Sequence, residues 1–168
     1  SSLDLGEVET IGKYAFNGCS IKTVTIPKSV TYVGEDAFSG YPIPNSLYGE
    51  RAPMDNVYIY GENIQLGPGG TSTMSATQVT IGNTVRRISG MIGRDTSTII
   101  FEEGSVCEHF CSMRSSTIKS ITLPDCIKEL DEMAFYSCKE LESAKLPASL
   151  TTIPKSAFEL CTSLESVT

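Results

Sequence analysis

The residues best suited to chemistry in this sequence lie in the stretch CEHFC, residues 107–111. Cys107, His109 and Cys111 could ligate a metal, and the two cysteines could form a disulfide. A structural zinc site commonly takes a close pair of ligands plus a second pair downstream, and no second close pair follows here. The third interpretation is an irregular coil that these side chains pack. We favour packing over the disulfide and expect no metal.

Catalytic residues are hard to assemble from the rest of the chain. His109 is the only histidine, so a serine or cysteine nucleophile has one possible imidazole base. The acidic pairs that could support acid–base chemistry fall at variable positions of a repeat described below, where they should face solvent. These pairs are Glu102 with Glu103, Asp131 with Glu132, and Glu140 with Glu142. The sequence therefore predicts that the chain is not an enzyme.

A glycine-rich stretch, LGPGGTST at residues 66–73, could in principle cradle a phosphate. Such a loop needs a following Gly-Lys-Ser/Thr that opens a helix, but Met74 and Ser75 follow here. We expect a loop between coils and no cofactor.

Composition narrows the possible partners. The chain has 168 residues, 40% of them hydrophobic, with a net charge of −7 and a pI near 4.7. A nucleic-acid groove wants a basic stripe, and an anionic membrane attracts basic segments, so we expect neither partner. No apolar run is long enough to insert into a membrane. The first residues, SSLDLGEVET, do not resemble a signal peptide.

The elements that must position all these residues come from an internal repeat. Residues 118–140 and 141–163 align without a gap, so that Pro124 matches Pro147 and Phe135 matches Phe158. Residues 21–41 follow the same pattern, and 11–19 are the tail of an earlier copy. The first apolar strand residue recurs every 20–23 residues, apart from one insertion of about ten residues. This series is Val24, Val57, Val79, Ile99, Ile121, Ala144 and Val167.

Each repeat predicts one coil of a solenoid. Alternation such as Val24-x-Ile26 indicates a strand, and the proline that follows ends strand pairing. A second apolar pair comes next, then Ala-Phe in a polar stretch for which we expect helical or 3-10 turns. Since no coil can bury its own apolar face, the coils must stack around a continuous core. The predicted core residues are Phe16, Cys19, Val24, Ile26, Phe38, Ile121, Leu123, Phe135, Cys138, Leu146, Phe158 and Cys161.

Three of the six cysteines occupy one slot of the repeat. Cys19, Cys138 and Cys161 each end an A-F-x-x-C motif, and a slot that recurs in every coil predicts a buried free thiol. A bridge between the neighbouring Cys138 and Cys161 stays possible. Cys126 is expected to be a free thiol.

The motif A-F-x-x-C, followed by L-x-x-I-x-I-P-x-x-V-x-x-I-G, resembles the BspA-type leucine-rich repeat. The resemblance is strong over 11–41 and 118–168 and partial over 57–110. It weakens over 40–53, 67–76 and 89–98. It implies a right-handed leucine-rich-repeat stack, here of about seven coils, with one parallel β-sheet face and short helical or 3-10 turns opposite. It also implies a bacterial surface or secreted protein with a role in adhesion or in binding host proteins.

The predicted organisation is a single leucine-rich-repeat domain over 1–168. Regular coils are expected over 1–41 and 111–168, degenerate coils over 54–110, and an insertion over 40–53. Because the chain begins and ends within the repeat pattern, we expect a piece of a longer protein.

The candidate ligand surface consists of outward residues of the sheet face and of the insertion. Threonines suit strands and can simply solvate a sheet. Large outward residues such as Tyr58 and Ile100 favour a contact patch. The candidates are Tyr41, Tyr48, Arg51, Tyr58, Tyr60, Thr80, Ile100, Thr122 and Lys145.

The expected function is a protein-binding or adhesion domain whose partner is another protein, such as a host or matrix protein. One alternative is a structural spacer that holds another domain away from the cell. Another is a carbohydrate-binding accessory module that uses tyrosines. Location at the cell surface or outside the cell is expected from the resemblance alone.

Overall fold

The computed structural model describes residues 2–42, 44, 51–67, 74–115 and 117–168. These residues form a parallel β-solenoid of about six turns, which confirms the predicted fold class. In chain order its strands are β1 (Ser2–Leu3), β2 (Thr10–Ile11), β3 (Thr23–Ile26), β4 (Tyr32–Val33), β5 (Tyr41–Pro42), β6 (Arg51–Ala52), β7 (Met54–Ile59), β8 (Asn63–Leu66), β9 (Ala76–Ile81), β10 (Arg87–Ser89), β11 (Met91–Ile92), β12 (Thr98–Phe101), β13 (His109–Phe110), β14 (Ser112–Met113), β15 (Ser120–Thr122), β16 (Glu129–Leu130), β17 (Ser143–Lys145) and β18 (Ser166–Val167).

The V-x-I segments form the first sheet side, which we call face A. Its earlier part is a parallel sheet in the order β1-β3-β7-β9-β12, and β15-β17-β18 continue the same repeat position in later coils. Val24 pairs in register with Val57, which pairs with Val79. In β3, Val24 and Ile26 are fully buried while Thr25 is exposed, as the alternation predicts.

The second apolar pair of each coil forms another parallel sheet, which we call face B. Its strand order is β2-β4-β8-β10-β13-β16, one short strand from each of six successive coils. The sequence did not indicate this sheet, because the apolar pair is spaced by three residues, as in Val30 and Val33. Only the second member of that pair, Val33, belongs to the strand β4.

The turns that carry Ala-Phe contain no helix among the described residues. The reason is a recurring left-handed backbone: Met133 and Ser156 have φ of 59° and 55°, and Ser137 and Leu160 have φ of 61°. Each pair is one repeat apart, so every such turn has two left-handed residues, which a right-handed helix cannot accommodate. The equivalent residues of the two earlier turns are Tyr14, Gly18, Asp36 and Gly40.

The core runs as one cluster through the stack, and the predicted core residues fall into three groups. Leu146, Phe16, Phe158 and Cys161 are partly buried against the core. Cys19 is exposed, so its predicted burial is wrong. Cysteines in this slot pack on the preceding coil, and Cys19 lies in the first coil of this sequence. The fully or nearly fully buried residues are Val24, Ile26, Phe38, Ile121, Leu123, Phe135 and Cys138.

Stacked phenylalanines join successive coils. The ring of Phe135 lies between those of Phe110 and Phe158, with centroid distances of 6.2 and 5.1 Å. Phe16 stacks on Phe38 at 5.1 Å in the first two coils. This aromatic column is the physical reason for the repeated Ala-Phe.

The insertion begins and ends in an antiparallel pair, β5 with β6, in which Tyr41 faces Ala52. Residues 43 and 45–50 of the insertion lie outside the described residues. No helix in the described part of the chain combines the length and apolarity that a membrane crossing requires.

Candidate functional site

The candidate site on face A is an outward row of side chains, which we call the Tyr58 row: Thr25, Tyr58, Thr80 and Ile100. Strand pairing places them side by side, with Thr25 opposite Tyr58, Tyr58 opposite Thr80, and Thr80 opposite Ile100. Neighbouring strands lie about 4.8 Å apart, so consecutive side chains of the row are in contact range.

The Tyr58 row is partly apolar at the surface. Ile100 is 40% exposed and Tyr58 is half-buried. Thr80 is only 6% exposed, because it stands between these two larger side chains. The row can therefore offer a partner the ring of Tyr58 and the aliphatic side chain of Ile100, with the small side chain of Thr80 already packed between them.

Two predicted candidates on face A lie apart from this row. Thr122 and Lys145 are exposed and pair with each other across β15 and β17. In the part of the chain that the structure describes, no ladder joins β12 to β15. The structure thus divides the predicted surface into the Tyr58 row and a later polar pair.

Tyr60 does not belong to the outward row, because it follows the end of β7 and its side chain reaches Glu102 in a later coil. Its hydroxyl donates a hydrogen bond to Glu102 Oε1 at 2.6 Å. That bond raises the pKa of Tyr60, with burial adding to the shift, and lowers the pKa of Glu102. The ring lies over Gly82, where an added Cβ would come within 2.3 Å of the ring carbon Cδ1. Tyr60 is engaged in the scaffold, so its hydroxyl is occupied.

The insertion candidates can be placed only in part. The backbones of Tyr41 and Arg51 belong to β5 and β6, but their side chains and all of Tyr48 lie outside the described residues. The glycine-rich stretch 66–73 is likewise outside the described residues from 68 onward.

The CEHFC stretch contains two buried free thiols rather than a disulfide. Cys107 and Cys111 are fully buried, and all six cysteines are free. Burial raises the pKa of Cys107 to about 12 and that of Cys111 well above the usual value. The Cys107 thiol donates to the His109 carbonyl oxygen at 3.3 Å. These thiols pack in the core on either side of the regular strand β13, which replaces the irregular coil expected here, and they hold their protons.

Cys138 and Cys161, two cysteines of the A-F-x-x-C slot, also direct their thiols at backbone carbonyl oxygens. The thiol of Cys138 contacts the Met113 carbonyl oxygen at 3.8 Å, and that of Cys161 contacts the Phe135 carbonyl oxygen at 3.0 Å. Burial raises the pKa of Cys138 to about 11. In both cases the partner lies in the preceding coil.

His109 links two coils through the carboxylates of Glu129 and Asp131, a contact that residue types alone do not indicate. Its Nδ1 lies 3.1 Å from Glu129 Oε2 and its Nε2 lies 2.7 Å from Asp131 Oδ1. The bond to Asp131 raises the pKa of His109, Glu129 adds to the rise, and burial and Arg87 oppose it. The feature of the sequence that could have indicated this contact is spacing, because Glu129 and Asp131 follow His109 by about one coil. Asp131, expected to face solvent freely, is instead half-buried against the ring.

The His109 cluster is not arranged to hold a metal. Each ring nitrogen faces its own carboxylate on opposite sides of the imidazole, so the three groups do not converge on one point. Throughout the ranges that the structure describes, no three histidine, cysteine or acidic side chains form a metal-binding group.

Stacked coils with a parallel sheet of V-x-I strands define a leucine-rich-repeat solenoid. The sequence profile of the BspA type leucine rich repeat region matches residues 2–52 and 71–168 in six copies. The chain therefore belongs to the family of BspA-type leucine-rich-repeat proteins.

A solved structure supports the fold. The crystal structure of a leucine rich cell surface protein from Faecalibacterium prausnitzii A2-165 matches 95% of this chain with a TM-score of 0.56 and 23% identity. The match covers 51% of that protein's chain, so this chain spans about half its length. No curated protein compared with the sequence matches it.

Proposed function

We propose that this chain is a non-enzymatic recognition domain that binds another protein through the Tyr58 row. The observation that carries the proposal is the neighbouring placement of Tyr58 and exposed Ile100 over buried Thr80. Tyrosine is enriched at binding hot spots, and side chains that already stand on a rigid sheet lose little conformational entropy when a partner covers them.

The proposed setting is the bacterial cell surface or the secreted fraction, with adhesion to a host or matrix protein as the role. Membership of the BspA-type family supports this setting. The Faecalibacterium prausnitzii protein of similar fold is described as a cell surface protein.

The state of the polar groups supports a non-enzymatic role. Both ring nitrogens of His109 already face carboxylates, so the imidazole is not available as a general base. The buried thiols of Cys107 and Cys138 have raised pKa values, which disfavours the nucleophilic thiolate.

The test is a binding screen of the purified chain against extracellular-matrix and epithelial proteins, with polysaccharides as a second panel. We expect a protein that binds the wild type but not the Tyr58→Ser/Ile100→Ser variant. The control Tyr14→Ser/Ile153→Ser removes the same residue types from exposed positions elsewhere and should bind normally. Circular dichroism checks that each variant is folded.

Three outcomes would contradict the proposal. Binding of polysaccharides alone, lost on changing the tyrosines, would favour a carbohydrate-binding module. Absence of binding to any member of either panel would favour a structural spacer. A protein hit lost only on deletion within 42–51 would place recognition on the insertion instead of the Tyr58 row.

A further inference from the structure

A basic cavity lies on the turn side of the solenoid, away from the Tyr58 row. It is lined by Arg94, Arg114, Ser137 and Lys139, and its volume is about 240 Å³. Three successive coils supply these residues. Arg94 and Arg114 follow the paired strands β11 and β14, whose residues Ile92 and Met113 are fully buried and hold both arginines on a rigid base.

The cations of the basic cavity are not neutralised by any acidic side chain that the structure describes. Among the residues that the structure describes, Arg94, Arg114 and Lys139 form no ion pair, although the chain carries a net charge of −7. The acid next to Arg94, Asp95, instead accepts a hydrogen bond from Ser75. Five other cations do pair with acidic side chains, namely Lys13, Lys22, Arg86, Arg87 and Lys128.

The geometry of the cavity suits an anionic ligand. The Arg114 guanidinium lies over the Tyr136 ring, 5.5 Å from its centroid, which fixes its position. Three like charges in adjacent coils repel one another, and an anion between them removes that repulsion. Guanidinium groups bind planar or tetrahedral oxyanions through paired hydrogen bonds, and the Ser137 hydroxyl can add another.

The lining decides between classes of polyanion. All four lining residues are polar, so the side chains of an acidic peptide would find no apolar pocket to fill. Nucleic-acid bases need exposed aromatic faces for stacking, but Arg114 already occupies one face of the nearby Tyr136 ring. A polysaccharide carries its charges on a polar backbone. It therefore needs neither an apolar pocket nor an exposed aromatic ring. We propose that the basic cavity binds the sulfate or carboxylate groups of an acidic polysaccharide.

The experiment measures binding of the whole chain to dextran sulfate, carboxymethyl dextran, neutral dextran and polyglutamate. We expect binding to one or both charged dextrans, none to neutral dextran, and weakening as salt rises. The two charged dextrans distinguish sulfate from carboxylate as the recognised group. Arg94→Gln/Arg114→Gln should lose roughly tenfold or more in affinity, since hydrogen bonds to charged groups are the strong ones.

The control variant Lys119→Gln/Lys155→Gln removes the same charge from exposed lysines outside the cavity and should keep its affinity. Equal losses in both variants would reduce the effect to overall charge and overturn the site. Polyglutamate binding as tightly as the charged dextrans would overturn the polysaccharide class. If neither charged dextran binds in dilute buffer, the proposal is overturned entirely. The Tyr58→Ser/Ile100→Ser variant should bind charged dextrans normally, which separates this test from that of the proposed function.

Discussion

At the scale of single residues, a few side chains determine how neighbouring coils are joined. His109 reaches two carboxylates of the next coil, and the slot cysteines reach carbonyl oxygens of the coil before. Residue types alone suggested metal or disulfide chemistry for the CEHFC stretch. The actual contacts depend on which coil each side chain meets, and only the stacking register determines that.

The first prediction concerns His109 and pH. Because its carboxylate partners raise the pKa of His109 above the ordinary 6.5, the charged ring stabilises the fold fully below that pH. This stabilisation is lost as the pH rises through the folded-state pKa. The difference in unfolding free energy between wild type and His109→Gln should therefore shrink between about pH 5.5 and about pH 9, measured by urea denaturation.

His109 is the only histidine in the sequence, so the comparison removes the one imidazole of the chain, while the charged groups that face it, Glu129, Asp131 and Arg87, are present in both proteins. A difference that stays constant or grows with rising pH would show that the ring is not held as an imidazolium.

The second prediction concerns the thiols. Under denaturing, non-reducing conditions a thiol reagent should modify all six cysteines, since none is bridged. In the native protein exposed Cys19 should react first, while Cys107, Cys111 and Cys138 should be protected by burial and by raised pKa values. Mass spectrometry would assign each site. Fewer than six modified cysteines after denaturation would reveal a disulfide.

At the scale of elements, the sequence predicted one side of each coil better than the others. The V-x-I strands of face A follow from period-two alternation. Face B was missed because its strands are two to four residues long and carry too few alternating positions. The turns with Ala-Phe were expected to have helical or 3-10 character, but left-handed residues such as Met133 and Ser137 are not recognisable from residue type.

The third prediction concerns the aromatic column. Phe135 is fully buried between two rings, so Phe135→Ala should lower the free energy of unfolding by about 3–5 kcal/mol. Phe158 is stacked on one side and half-buried, so Phe158→Ala should cost clearly less. Thermal and urea unfolding followed by circular dichroism would measure both. Equal costs for the two variants would contradict the stacking register.

At the scale of the whole molecule, the solenoid places its three distinctive groups of side chains on three different sides. Face A presents the Tyr58 row, face B carries His109, and the turn side carries the basic cavity. The sequence predicted Tyr58, Thr80 and Ile100 as outward residues, because strand alternation places them on one face. It could not predict the basic cavity, because Arg94, Arg114 and Lys139 are distant in sequence and occupy degenerate or variable repeat positions.

The central claim is that the Tyr58 row binds a protein partner, and an affinity titration tests it most directly. The partner found by screening would be titrated with wild type, Tyr58→Ser/Ile100→Ser and the matched Tyr14→Ser/Ile153→Ser variant. We predict a loss of roughly tenfold or more for the first variant and little change for the second. Unchanged affinity in the first variant, with its fold intact, would contradict the claim.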